Sequence, residues 1–235
     1  MTFLNTLRCV NSTAIESTRR IIAHIMGHKL TYNDLRDIAA KQREILGISF
    51  SLTDENDGLY PPDKGPYIFV LLNQTSLAEA TLIPEIILGP HRTFANVGFL
   101  LFPFVGWMCY LLGAIPVLPG MKFQTRHAVA NARKYLRSAP HHTMYMSIEG
   151  RRSRNGALSP FRLGCARIAL ESQATIVPFL IQGAREIMPH GSWLVRPGVC
   201  KIWIGPMVRT TGLREDAATL TLHLRRIADE KIASL

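Results

Sequence analysis

The stretch from Thr143 to Asn155, TMYMSIEGRRSRN, joins a short, mostly apolar run to a charged cluster. The run ends at Ile148 and predicts a β-strand. The cluster, Glu149 to Arg154, follows directly where that strand ends. In sheets layered with helices, ligands bind beyond the carboxyl ends of the strands. This cluster is therefore a candidate binding site.

Further short apolar runs predict strands on both sides of this stretch, and helical stretches separate them. The alternation of the two predicts an α/β domain in which a sheet is layered with helices. The predicted strands are Tyr67–Leu72, Ala114–Leu118, Thr143–Ile148, Thr175–Ile181 and Cys200–Ile204, and the predicted helices lie at about 76–88, 123–138, 163–172 and 214–233.

Two helices are predicted before the first strand. Thr13-x-x-Glu16 and Thr31-x-x-Asp34 both resemble capping boxes, and Gly27 and Gly47 close the apolar stripes that follow them. Residues 51–66 are rich in turn formers and predict a linker. We therefore divide the chain into an N-terminal helical pair over residues 1–50, which could associate with a membrane, and an α/β domain over residues 51–235.

Composition narrows the class of protein. The chain has 235 residues, a formal net charge of +10, 47% hydrophobic residues and only 19% charged residues. A disordered chain and a coiled coil are excluded, and the charge implies an acidic partner. The basic residues form no aromatic-interleaved stripe, so nucleic acid is not the expected partner. The four cysteines show no metal-ligand spacing, and the eight histidines have none either; we expect no metal site and a reducing compartment.

A stretch without charge, from Thr93 to Met121, is long enough to span a bilayer. Prolines and glycines interrupt it repeatedly, so we predict buried helix, turn and strand there, part of which could dip into a membrane face. The N-terminus carries Arg8, Glu16, Arg19 and Arg20 and does not match a signal peptide. The expected location is cytoplasmic, peripheral at the membrane face.

A second polar cluster follows the strand Tyr67–Leu72 and reads Asn73-Gln74-Thr75-Ser76-Leu77-Ala78-Glu79. Together with Leu112–Val117, the Glu149 cluster and Ile176–Gly183, it forms four blocks whose order and spacing resemble the glycerolipid acyltransferase superfamily. This superfamily includes the glycerol-3-phosphate and lysophosphatidic acid acyltransferases. The resemblance covers roughly residues 67–185. It implies a mixed sheet flanked by helices, and the N-terminal helices are similar to the membrane-associating pair of some members.

The chain departs from the family pattern at the first block, which in the family is a catalytic His-x4-Asp. Gln74 stands in place of the histidine and Glu79 in place of the aspartate. In the third block Glu149, Gly150, Arg152 and Ser153 match the family, and Arg151 replaces a threonine. Pro119 stands where the second block usually ends in a phosphate-binding arginine. Glutamine cannot accept and return a proton near neutral pH, so the family's histidine mechanism is not available here.

The resemblance implies acyl transfer from acyl-CoA or an acyl carrier protein, as co-substrate, to an amine or hydroxyl acceptor, with no cofactor. Glu79 would act as the base and Gln74 would position the acceptor; a neutral amine needs no prior deprotonation. Together with the change at Pro119, this predicts an acceptor other than a simple glycerol phosphate. The expected substrate-binding residues are Asn73, Ser76, Glu149, Gly150, Arg151, Arg152 and Ser153.

Other interpretations stay open. The chain could be a catalytically inactive homologue that binds an acyl chain or a lipid, or a basic scaffold at the membrane surface. Ser76-x-x-Glu79 is also an ordinary capping box, and this structural role is compatible with a catalytic one. His91 is a candidate substitute base.

Overall fold

The protein's structure, a computed structural model, describes residues 2–58, 60, 65–87, 89–101, 105–118 and 120–234. Its strands, numbered in chain order, are β1 Ile48–Asp54, β2 Tyr67–Leu71, β3 His91–Asn96, β4 Ile115–Val117, β5 Thr143–Ser147, β6 Thr175–Gln182 and β7 Gly198–Ile204. Its helices are α1 Thr2–Ile25, α2 Tyr32–Leu46, α3 Ile83–Ile86, α4 Val97–Leu100, α5 Val105–Leu111, α6 Lys122–Ser138, α7 Gly164–Ser172, α8 Ala184–Ile187 and α9 Ala217–Ser234. A 3₁₀ turn covers Ala78–Thr81.

The chain divides into two compact units. The first comprises Met1–Phe50, Ser76–Ala128 and Gly183–Cys200, and the second comprises Ser51–Thr75, Val129–Gln182 and Lys201–Leu235. The chain therefore passes from the second unit to the first between Thr75 and Ser76. The predicted domain boundary at residue 50 stays a prediction.

The second unit is built on a mixed sheet. β2 pairs in parallel with both β5 and β6, so that Tyr67 lies opposite Thr143 on one side and Thr175 on the other. β7 runs antiparallel to β6, and the strand order is β1-β7-β6-β2-β5. In the first unit, β3 and β4 form a parallel pair. The predicted fold class, a mixed sheet flanked by helices with an N-terminal helical pair, is confirmed.

The central strands form the core of the sheet. Every residue of β2 is buried, and so are residues 175–181 of β6. Strands that are covered on both faces consist of continuous apolar runs rather than alternating ones. This is why β2 and β6 are recognisable from sequence alone.

The helical pair differs from the prediction at its first helix. α1 begins at Thr2, well before the expected cap at Thr13. The Thr13 hydroxyl instead donates a hydrogen bond of 2.7 Å to the carbonyl of Cys9, one helical turn earlier. The second cap is confirmed, because the backbone N–H of Thr31 donates to the carboxylate of Asp34 at 2.8 Å.

Two further local predictions need correction. Residues 51–54 of the expected linker belong to β1, and the turn-forming residues around them made the alternation of apolar and polar residues hard to recognise. Residues 59 and 61–64 of this segment lie outside the described residues. The helix expected at about 76–88 is instead the 3₁₀ turn followed by the single turn α3. Pro84 has no N–H to donate to an earlier carbonyl, which is tolerated only in the first turn of a helix, so a new helical turn starts there instead of continuing the 3₁₀ turn.

The stretch Thr93–Met121 contains helix, turn and strand, as predicted, although residues 102–104 and 119 lie outside the described residues. It is buried on one side only. On α5, Met108 is fully buried, whereas Tyr110 is 59% exposed. Among the helices in the described residues, none has both the length and the apolar character needed to cross a bilayer.

Candidate active site

Asn73 fixes the backbone just beyond the end of β2. Its side-chain amide donates to the carbonyl of Ile181 at 2.8 Å and accepts from the N–H of the same residue at 3.0 Å. Both polar atoms of the buried Asn73 side chain therefore bind the end of β6. Its predicted contact with substrate stays a prediction.

Gln74 is held by its backbone to the cluster that follows β5. Its N–H donates to Oε2 of Glu149 at 3.3 Å, and its carbonyl accepts from the N–H of Ser153 at 2.7 Å. Parallel pairing places the carboxyl ends of β2 and β5 side by side, which brings together residues 75 positions apart in sequence. The side chain of Gln74 is half-buried.

Glu149 is almost completely buried, with 1% of its surface exposed. Its Oε1 accepts from the N–H of Ser159 at 2.7 Å, and its carbonyl accepts from Nε of Arg162 at 3.0 Å. Burial raises the pKa of the Glu149 carboxyl. The backbone N–H groups of Ser159 and Gln74 and the positive charge of Arg225 oppose that rise. The carboxylate thus joins the Gln74 segment to the loop that contains Ser159.

The residues after Glu149 form a tight turn. Gly150 has a φ of +66°, and a Cβ there would lie 3.0 Å from Cδ of Arg162. The hydroxyl of the buried Ser153 donates to the carbonyl of Ala157 at 2.7 Å and closes the loop. Arg151 is exposed and Arg152 is half-buried, and their predicted contact with an anionic part of a substrate stays a prediction.

In the first unit, Ser76 and Glu79 form half of the expected capping box. The Ser76 N–H donates to Oε1 of Glu79 at 3.0 Å, and the Ser76 hydroxyl donates to the carbonyl of Met188 at 2.9 Å. Glu79 is 2% exposed and lies within the 3₁₀ turn. The predicted role of Glu79 as a base stays a prediction.

His91 also lies in the first unit and is 5% exposed. Its Nδ1 is 3.1 Å from the carbonyl of Gly89, and its ring lies 4.6 Å from that of Tyr32. Burial lowers the pKa of His91 to about 4. Within the described residues, no three His, Cys, Asp or Glu side chains lie close enough together to hold a metal ion.

Sequence reasoning missed three arginines, Arg162 and Arg225 in the second unit and Arg43 in the first. Arg225 on α9 lies over the ring of Phe161 at 5.3 Å and donates to the carbonyl of Ser159 at 3.3 Å. Arg162 lies 13 positions after Glu149 and Arg225 lies much later in the chain, and neither carries a local sequence signal for its contact. Arg43 does carry one, since it is a charged residue on the apolar stripe of α2 that includes Ala39 and Leu46.

The mixed sheet, and the hydrogen bond that joins the segments after β2 and β5, can now be compared with known protein families. The Acyltransferase family model matches residues 60–182, which is more than half of the chain. The chain therefore belongs to the Acyltransferase family, and the resemblance to the glycerolipid acyltransferases is confirmed.

Two curated relatives illustrate the relationship. Over 134 residues the chain is 28% identical to the chloroplastic 1-acyl-sn-glycerol-3-phosphate acyltransferase BAT2 of Brassica napus, covering 56% of this chain and 37% of the relative. It is 25% identical over 163 residues to the 1-acyl-sn-glycerol-3-phosphate acyltransferase alpha of Homo sapiens, covering 67% and 54%. The chain thus spans only part of the length of these relatives.

The fold is also that of a solved enzyme. The 1-acyl-sn-glycerophosphate acyltransferase PlsC of Thermotoga maritima superposes with a TM-score of 0.81, covering 100% of this chain and 97% of the other. The sequence identity is 17%, so this likeness concerns the fold alone.

Proposed function

We propose that the protein is an acyltransferase that moves an acyl group from a thioester donor to a hydroxyl or amine acceptor. The observation that carries the proposal is the hydrogen bond between the Gln74 N–H and the Glu149 carboxylate. It joins the family's first and third blocks, despite the changed side chain at position 74. Membership of the Acyltransferase family supports the same reaction class.

In the proposed reaction, Glu79 is the base. It takes the proton from a hydroxyl as that group attacks, or from the nitrogen of a neutral amine once it has attacked the thioester carbonyl. The new ester or amide bond forms at this carbonyl, the C–S bond breaks, and the sulfur leaves as the thiolate. The amide of Gln74 cannot take that proton, but it can donate one hydrogen bond to the oxyanion or orient the acceptor. Arg151 and Arg152 would bind an anionic part of a substrate.

Two observations bear on the chemical class of the acceptor. The printed names of the relatives point to a 1-acylglycerol phosphate. The replacement of histidine by Gln74 favours an amine or another acceptor outside the simple glycerol phosphates. Pro119, which motivated the same inference, lies outside the described residues.

The test is an assay of the purified full chain with labelled acyl-CoA and acyl carrier protein as alternative donors. The acceptors are 1-acylglycerol 3-phosphate, a long-chain amine and a long-chain alcohol. Glu79→Gln keeps the shape of the side chain but removes its proton-accepting charge, so product formation should fall by about 100-fold. Glu171→Gln, an exposed surface change, is the control. Acyl binding without turnover would instead indicate the inactive lipid-binding homologue.

We also propose that α1 contacts an anionic membrane surface peripherally. Exposed apolar side chains lie along it at helical spacing, and the exposed Arg8 and Arg19 lie on the same helix. The apolar residues that are at least half exposed are Phe3, Leu4, Leu7, Val10, Ile22 and Ile25. An amphipathic helix with these features binds a bilayer interface without crossing it.

This proposal is tested by sedimentation with vesicles. The wild-type protein should pellet with vesicles that contain phosphatidylglycerol more than with pure phosphatidylcholine. Leu7→Glu combined with Val10→Glu should abolish pelleting, because the two carboxylates enter the apolar face. Leu222→Glu on α9 replaces another exposed leucine, outside α1, and should pellet as the wild type does. Unchanged pelleting of the α1 variant would refute the assignment of this surface.

A further inference from the structure

Arg43 is a buried cation in the first unit and is only 8% exposed. A guanidinium group removed from water must be compensated by charged and hydrogen-bonding partners. Its Nη2 donates to Oε1 of Glu85 at 2.5 Å, and the group lies over the ring of Phe50 at 5.4 Å. Its Nη1 donates to the carbonyl of Thr81.

The bond to Thr81 replaces one that the backbone cannot make. In a continuous helix, the carbonyl of Thr81 would accept from the N–H of residue 84 or 85. Pro84 has no N–H, and the N–H of Glu85 donates to the carbonyl of Leu82 at 3.0 Å. The side chain of Arg43 therefore supplies the hydrogen-bond donor that the local backbone does not supply to the carbonyl of Thr81.

Thr81 is the last residue of the 3₁₀ turn that contains Glu79. At the start of this turn, the Ser76 N–H binds the Glu79 carboxylate, and the Ser76 hydroxyl accepts from the N–H of Ala78 at 3.1 Å. Arg43 holds the other end. The turn that carries Glu79 is thus held at its start by hydrogen bonds of Ser76 and at its end by Arg43 on helix α2.

We propose that Arg43 is a positioning residue for Glu79, so that α2 of the helical pair sets the geometry of the base. This inference rests on the proposed function. In this role Arg43 acts on Glu79 through the backbone of the turn, at the carbonyl of Thr81, rather than by binding a substrate. A displacement of a catalytic group by about 1 Å can reduce the rate by about 100-fold, which is why a distant anchor matters.

The chain offers a matched control in Arg20. It has three ion-pair partners, Glu16 at 2.9 Å, Asp34 at 3.0 Å and Asp37 at 3.3 Å. These partners all lie on α1 and α2, so Arg20→Gln loosens the helical pair without touching the turn. Arg43→Lys keeps the positive charge but loses the fork that serves Thr81 and Glu85 together.

The first measurement is hydrogen exchange in the full chain. The N–H of Leu82 donates to the carbonyl of Glu79 at 2.9 Å, and that of Ala80 donates to Leu77 at 3.1 Å. Both amides should exchange faster in Arg43→Gln than in Arg20→Gln. Equal exchange rates in the two variants would overturn the proposal without reference to activity.

The second measurement is steady-state kinetics with the assay described above. Arg43→Gln should lower kcat by about tenfold or more, whereas KM for the donor should stay within about twofold. Arg43→Lys should fall between Arg43→Gln and the wild type, and it carries the test if Arg43→Gln does not fold. In the Glu79→Gln background, Arg43→Gln should lower kcat no further, because the base it positions is gone.

The outcomes distinguish the two proposals. An active wild type with an unchanged kcat in both Arg43 variants refutes the positioning role alone. A further loss of kcat in the Glu79→Gln background also refutes it. A wild-type protein that transfers no acyl group with any donor refutes the proposed function, and the role of Arg43 with it.

Discussion

The carboxylate of Glu149 accepts a hydrogen bond of 3.3 Å from the backbone N–H of Gln74, although the two residues lie 75 positions apart. The second carboxylate oxygen accepts the N–H of Ser159 at 2.7 Å. One buried side chain thus holds two backbone segments in place. Its two acceptor oxygens, rather than its negative charge alone, are required for this role.

Glu149→Gln tests this requirement. A glutamine offers one acceptor oxygen and one NH₂ group, so the NH₂ would face an N–H of Gln74 or Ser159. A buried donor left without an acceptor costs about 1–3 kcal/mol, and we expect the free energy of unfolding in urea to fall by that amount. Glu171→Gln, which removes an exposed ion pair with Arg133, should change it by less than about 1 kcal/mol. Equal effects would show that Glu149 is not a structural link.

Gln74→His tests the chemistry proposed for position 74. Imidazole can take up a proton near neutral pH. An alcohol substrate must lose its proton to a base as it attacks, whereas a neutral amine attacks without prior deprotonation. The ratio of the rates with matched alcohol and amine acceptors should therefore rise by about tenfold or more in the variant. Initial rates with a single thioester donor give this ratio. A ratio equal to that of the wild type would contradict the proposed role of Gln74.

The buried His91 predicts a pH dependence of stability. Burial lowers its pKa to about 4 in the folded protein, from about 6.5 in the unfolded chain. Between these values the unfolded chain binds a proton that the folded protein does not, so stability falls as the pH falls from 6.5 to 4. The loss reaches about 3 kcal/mol at most, from 1.36 kcal/mol per pKa unit.

Urea unfolding at several pH values measures this dependence. His91→Phe keeps a ring beside Tyr32 but cannot titrate. Its free energy of unfolding should therefore change less than that of the wild type over the same pH range. Parallel curves for the two proteins would exclude His91 as the source of the dependence.

Alanine substitutions at two glycines with nearly the same φ distinguish the loss of stability caused by a steric clash from the loss caused by the left-handed backbone conformation. Gly183 has a φ of +85° and Gly191 a φ of +84°. A Cβ on Gly183 would lie 2.3 Å from the carbonyl oxygen of Val199, whereas one on Gly191 meets nothing within 4 Å. Gly191→Ala should cost about 1–2 kcal/mol for the left-handed conformation alone.

Gly183→Ala should cost more than Gly191→Ala, because the carbonyl of Val199 belongs to backbone that cannot move aside easily. Thermal unfolding of the two variants side by side measures the difference. If both lose the same stability, the close approach at Gly183 does not constrain the protein.

Much of the sheet was predictable because its central strands are covered on both faces. Residues 67–71 and 175–181 are continuous apolar runs, and Glu149 follows the predicted end of another strand. The Thr31–Asp34 cap was also predictable, since its hydrogen bond is local in sequence. These features depend on neighbouring residues, which a sequence displays directly.

The remaining features depend on contacts between distant parts of the chain. The carboxylate of Glu149 accepts from the N–H of Gln74, 75 positions earlier, and the spacing of the two residues does not indicate this contact. The Thr13 pattern was misleading because a threonine hydroxyl binds a carbonyl one turn earlier in mid-helix as readily as it caps a helix start. The expected spatial pairing of Gln74 with Glu79 stays a prediction.

Residue 74 is held through its N–H and its carbonyl, and neither bond involves its side chain. Natural selection can therefore replace that side chain without disturbing the scaffold that presents it. Histidine and glutamine codons differ by a single nucleotide, so one mutational step exchanges an imidazole for an amide at such a position. A backbone anchored in this way makes the reaction chemistry evolvable while the architecture stays the same.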